Sequence, residues 1–220
     1  MIHSKNRRAH AVAEAIQSGD LLTSRRLLRE NPGLAKASFG PGPRGAERTL
    51  PHVATEPRAR HPNGAGTALH WAASTNDVAA LDALLDAGAD IEAPGGTFGG
   101  GTPLGDAVGF GQWQAARRLI ERGAQTTLWQ AAALGLRSRI RDCFPDGAHP
   151  AREEVDAGFW YACRCGQFNS AIFILHEGAD LNRIPEWKEQ TPLDAACLSG
   201  EKDLVQWLHS HGARPATDLR

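Results

Sequence analysis

One methionine, one tyrosine and four lysines stand among 220 residues. No apolar run approaches the roughly 20 residues that a bilayer crossing needs. The charged start MIHSKNRRAHAV has no apolar stretch behind it. The expectation is therefore a cytoplasmic chain with neither a membrane span nor a signal peptide. There are four cysteines, Cys143, Cys163, Cys165 and Cys197, which in a reducing compartment default to buried thiols. The net charge of -1 excludes a globally basic nucleic-acid binder and an acidic tail protein. What is present is globular: 41% hydrophobic and 22% charged residues. Twenty arginines against four lysines, with many alanines, point to a GC-rich coding genome and a bacterial source.

Charge is unevenly placed. Residues 1–65 hold eleven Lys and Arg and five acids, a sum of +6, and residues 66–220 hold thirteen and twenty, a sum of -7. The plain reading is an N-terminal cap with a solvated outer face of Arg25, Arg26 and Arg29. These arginines are not interleaved with aromatics, as a groove for single-stranded nucleic acid requires.

A small-residue column recurs along the chain: Gly19, Asn76, Gly111, Gly135, Gly166 and Gly200. Four places before each stands Ala15, Ala72, Ala107, Ala131, Ala162 or Ala196, and seven places before stands an apolar residue. Eight and nine places after stand mostly apolar pairs such as Leu84-Leu85 and Ile174-Leu175. Twelve places after come Asn31, Gly88, Gly123, Gly147, Gly178 and Gly212. The columns fit a short helix, a turn, and a longer helix closed by a residue in the left-handed conformation that Gly and Asn adopt at least strain. The column alanine lets the short helix lie close to its neighbour. One such pair cannot bury its own apolar face, so stacking pairs must make the core.

The segments TALHWAA at 67–73, TPLGDAV at 102–108 and TPLDAA at 191–196 resemble the ankyrin repeat signature. So do GADIEA at 88–93 and GADLNR at 178–183. The resemblance implies an all-α ankyrin repeat solenoid forming one domain over 1–220, with helix-turn-helix units and finger-like connectors. Units start near 10, 67, 102, 126, 157 and 191, the first and last serving as caps. It also implies a binding scaffold more than a catalyst. The resemblance further implies a structural role for His70, bonding between neighbouring turns.

The connectors carry what is individual. Gly123-Ala124 is followed almost at once by Thr126, so the third finger should be missing. The second connector, DIEAPGGTFGGG, supplies Phe98 and lacks the Lys-Ser/Thr of a phosphate-binding loop. The fifth, DLNRIPEWKEQ, presents Trp187. The first, Gly33–Gly66, is a long insert in which eleven of 34 residues are Pro or Gly. Held over the concave face, it would act as a lid.

Ankyrin geometry puts Trp71, Asp106, Trp129, Trp160 and Tyr161 on the concave face, with Phe110, Arg164 and Cys165 near the ends of the short helices. With Phe98 and Trp187 they form the candidate binding set, an aromatic-rich strip with a few polar groups. Cys163 and Cys197 share a column and are expected in the core with Cys143, leaving Cys165 facing the groove. Cys163 and Cys165 are two residues apart on a helix, about 200° in rotation, so they do not face one metal. No metal, no cofactor and no catalytic motif is expected. The first reading is non-catalytic recognition of a protein or peptide by the concave face, without nucleic acid or membrane as partner. The alternative is a small-molecule site or atypical enzyme, closed by the 33–66 insert, in which Asp106 and His70 are the catalytic candidates.

Overall fold

Threonine starts the short helices. Thr102 Oγ1 accepts the Gly105 N–H at 3.2 Å, with Pro103 occupying the first helical position. Thr191 and Asp194 cap each other: Asp194 N–H donates to Thr191 Oγ1 at 3.2 Å, and Thr191 N–H to Asp194 Oδ2 at 2.9 Å. Aspartate starts two of the longer helices, Asp20 accepting from Thr23 N–H at 3.0 Å and Asp77 from Ala80 N–H at 2.9 Å.

The computed structural model describes residues 11, 12, 15, 20–34, 38–41, 47–49, 68–95, 101–145 and 149–219. The chain divides into two compact units, Met1–Gln125 and Thr126–Arg220. In the first, α1 (Leu21–Glu30) is followed by the pairs α2 (Ala68–Ser74) with α3 (Val78–Asp86) and α4 (Pro103–Gly109) with α5 (Trp113–Glu121). In the second, α6 (Leu128–Leu134) pairs with α7 (Arg137–Asp142), α8 (Arg152–Arg164) with α9 (Phe168–His176), and α10 (Pro192–Ser199) with α11 (Lys202–Ser210). Within each unit short helix packs on short helix: α2 on α4, and α6 on α8 on α10.

The turn inside each pair is the same device. Asn76, Gly111, Gly135, Gly166 and Gly200 have φ of 61, 71, 68, 67 and 82°. The carbonyls of Ala15, Ala72, Ala107, Ala131 and Ala162 each accept the N–H five residues on, at 2.7–2.9 Å. In the last pair the Ser199 hydroxyl bridges, donating to Ala196 O at 2.7 Å and accepting from Glu201 N–H at 3.2 Å. The six column alanines are all buried, at 0–5% exposure. Ala131→Leu therefore forces extra volume between α6 and α8, and urea unfolding should show a loss of about 1–3 kcal/mol. An unchanged denaturation midpoint would contradict the column assignment.

Two expectations are corrected. Asn31 has φ -139°, not the left-handed value. Pro32 follows it, and a residue before proline is driven toward extended backbone. Helix α8 begins at Arg152, five residues before the unit start read from sequence. No Thr-Pro step stops it earlier, and Glu153 and Glu154 in its first turn suit the positive end of the helix. The 33–66 insert contributes a small antiparallel hairpin, β1 (Ser38–Pro41) with β2 (Glu47–Thr49), pairing Ser38 with Thr49 and Phe39 with Arg48. Apart from that hairpin the described fold is all-α. The lid expected of the 33–66 insert falls mostly on residues 35–37, 42–46 and 50–66, which lie outside the described residues. The third finger is absent as the spacing requires, since only residues 122–127 join α5 to α6.

On the first unit Arg118 Nε lies 2.8 Å and Arg122 Nη1 2.7 Å from Asp82 Oδ1, tying α5 to α3. Partial burial works to raise the Asp82 carboxyl, but the two guanidinium hydrogen bonds outweigh it and hold it below its ordinary 3.8. A depressed folded-state value stabilises the fold above pH 3.8 and stops doing so as pH falls through the lower value. Acid titrations of wild type and Asp82→Asn should differ in stability at pH 6, and the difference should shrink below pH 3.8 and vanish once pH has passed the lowered folded-state value.

Candidate recognition surface

The second unit gathers four of the aromatic residues. Trp160 and Tyr161 are successive on α8, so they leave the helix about 100° apart. Trp160 turns inward and is 3% exposed, while Tyr161 is half-buried. Trp129, on α6, brings its ring to 4.6 Å from Tyr161. The finger between α9 and α10 carries Trp187, which stacks on Tyr161 at 5.5 Å and 25°. Trp160 stands edge-on to both, 5.2 Å from Tyr161 and 5.0 Å from Trp187. Trp187 alone of the four is largely open, at 48% exposure.

The finger is held at both ends. Asn182 N–H donates to Asp180 Oδ1 at 2.9 Å, making a tight turn, and Asp180 N–H donates to the buried Asp156 at 2.7 Å. The Trp160 indole N–H donates to the Gln190 carbonyl at 3.1 Å. A rigid finger presents Trp187 with little left to order on binding.

Two titratable groups at this surface, Tyr161 and Cys165, stay uncharged. Burial raises the Tyr161 hydroxyl, with a smaller contribution from Cys165. Burial pushes the Cys165 thiol up to about 11, against a weaker lowering by Arg164. At pH 7 neither is ionised, so the surface offers stacking and apolar contact but no thiolate or phenolate nucleophile.

The other candidates are placed elsewhere. His70 is buried in the first unit with Nε2 2.9 Å from the Gly101 carbonyl, which makes it a structural tie. Asp106 is fully enclosed, at 0% exposure, and lines no open surface. Phe110 is exposed at the end of α4, and Arg164 at the end of α8. The side chain of Trp71, and all of Phe98, lie outside the described residues.

Cysteine exposure differs from expectation. Cys163 is fully buried and its thiol is raised by burial, but Cys197, in the same column, is exposed. α10 covers Cys163, whereas no further helix pair among the described residues covers Cys197. Cys143 is only half-buried, its thiol donating to the Arg139 carbonyl at 3.3 Å. Cys197 instead lines an open groove of about 520 Å³ with Gly200, Lys202, Val205, Gln206 and His209. A thiol reagent at pH 7 should modify Cys197 rapidly in folded protein and leave Cys163 untouched. Cys197→Ser should remove the fast phase, and its survival would contradict the placement.

Among the described residues no group of three or more His, Cys, Asp or Glu side chains is placed to hold a metal ion. None of the described helices is long and apolar enough to cross a membrane. Residues 66–95, which include the α2–α3 pair and its Asp90 turn, match the ankyrin repeat family model. Among solved structures, the crystal structure of the human ASB11 ankyrin repeat domain is similar at 20% identity. The similarity covers 94% of this chain and 90% of that one, with a TM-score of 0.48. No curated protein matches the chain. The ankyrin match thus falls on one helix-turn-helix pair, and the other described pairs repeat its left-handed turn at Gly111, Gly135, Gly166 and Gly200, consistent with an ankyrin-type solenoid.

Proposed function

We propose that this chain is a non-catalytic recognition module that binds a protein or peptide through the aromatic surface of its second unit. The observation that carries the reading is the stack Trp129–Tyr161–Trp187, backed by Trp160 and open to solvent at Trp187. Large rigid aromatics with one open face are the residues on which binding energy concentrates at protein interfaces. Ankyrin repeats generally mediate protein–protein contacts, which supports the same reading. In this account the chain has six ankyrin units of bacterial type, with caps at both ends, working in the cytoplasm. The enclosed position of Asp106 and the un-ionised Tyr161 and Cys165 favour recognition over catalysis. A random peptide library panned on the full chain tests the proposal. It should yield peptides that the Trp187→Ala chain does not retain. Recovery of the same peptides on both chains would reject the surface.

A further inference from the structure

The residue six places before each turn position forms a column: His70, Gly105, Trp129, Trp160 and Asp194. Three of its members tie their short helix to the connector that follows. His70 Nε2 lies 2.9 Å from the Gly101 carbonyl and, since a carbonyl only accepts, carries the hydrogen. The Trp160 indole N–H donates to the Gln190 carbonyl at 3.1 Å. Gly101 and Gln190 are equivalent positions, each standing just before the capping threonine, Thr102 or Thr191, of the next short helix. Asp194 makes the tie with the polarity reversed, its Oδ2 accepting the Ala216 N–H at 2.9 Å.

We propose that Trp160 is the positioning residue of the recognition surface, an indole latch standing where His70 stands in its own repeat. The proposal rests on the reading of Trp187 as the binding face. An imidazole at this position reaches the carbonyl and has little ring left over. An indole reaches the equivalent carbonyl with its five-membered ring and still presents an edge to Tyr161 and Trp187, at interplanar angles of 82° and 84°. One side chain thus fixes the end of the finger and backs the aromatic that the finger carries. Trp160 is 3% exposed, so a lost bond would leave its N–H buried and unpaired. The indole N–H is a donor only, at any ordinary pH, so the latch holds without a protonation change.

The test separates the bond from the ring. Trp160→Phe keeps an aromatic and removes the donor. Trp160→His restores a donor of the kind that reaches this carbonyl from position 70. The readout, on the full chain without ligand, is the set of proton–proton NOE contacts between the Tyr161 ring and the Trp187 indole. Trp160→Phe should lose these contacts and Trp160→His should keep them. Affinity for a selected peptide should fall about tenfold in the first variant, as for one lost hydrogen bond, and recover in the second. Contacts that persist in Trp160→Phe would overturn the latch, as would equal loss in both variants with helix content intact. If Trp160→Phe does not fold, the contacts in Trp160→His decide alone: kept, they support the latch, and lost, they overturn it. The NOE readout needs no ligand, so a failed peptide selection removes the recognition reading while leaving the latch to stand or fall separately.

Discussion

Phe159→Ala should lower the stability of the second unit by about 3–5 kcal/mol, among the largest single-residue losses in this chain. Phe159 is fully buried on α8, in a core shared with Leu128, Ile140, Ile174, Leu193 and Leu204. It lies on the middle helix pair of that unit, where α8 packs against α6 on one side and α10 on the other. A cavity there removes contacts in both directions, and close-packed helices relax only partly into it. Urea unfolding of the full chain, followed by circular dichroism, measures the loss. The half-buried Phe173 sits at the edge of the same core, and its alanine variant should lose less. Equal losses at the two positions would contradict the placement of the core.

The second large effect is on binding. Trp187→Ala should weaken a selected peptide by about 2 kcal/mol, close to thirtyfold, with little change in the unfolding midpoint. The dissociation comes from geometry: the indole is 48% exposed and stacked on Tyr161, so its removal opens the surface without emptying the core. Trp113 in the first unit, 42% exposed, is the control. Trp113→Ala should leave affinity unchanged. Titration of each variant with the same peptide, by calorimetry, decides the point. Equal loss in both would place the peptide elsewhere.

The repeat pattern was legible because its columns answer to local chemistry. A left-handed turn admits Gly or Asn, and a close helix contact admits Ala, so these residues recur wherever the turn does. The same logic failed at Asn31, where the next residue, Pro32, overrides the turn preference. The aromatic site was legible in membership and less so in orientation. Trp129, Trp160, Tyr161 and Trp187 can all be named from sequence. Which of them faces solvent depends on a carbonyl 30 residues away, since Gln190 draws the Trp160 indole inward. Cys197 shows the limit of column reasoning. Its column mate Cys163 is buried by the following pair, and burial is a property of the neighbour, not of the residue. Asp106 was read as groove-lining from its position in the motif. It is fully enclosed, on a helix whose residues 103–108 are all buried.

Photocross-linking tests the central claim most directly. A selected peptide carrying a photoreactive phenylalanine analogue is irradiated with the full chain, and the adducts are mapped by mass spectrometry. The account predicts cross-links on Tyr161 and on residues 184–190 around Trp187. Cross-links confined to the open groove at Cys197–His209, or to the first unit, would contradict it.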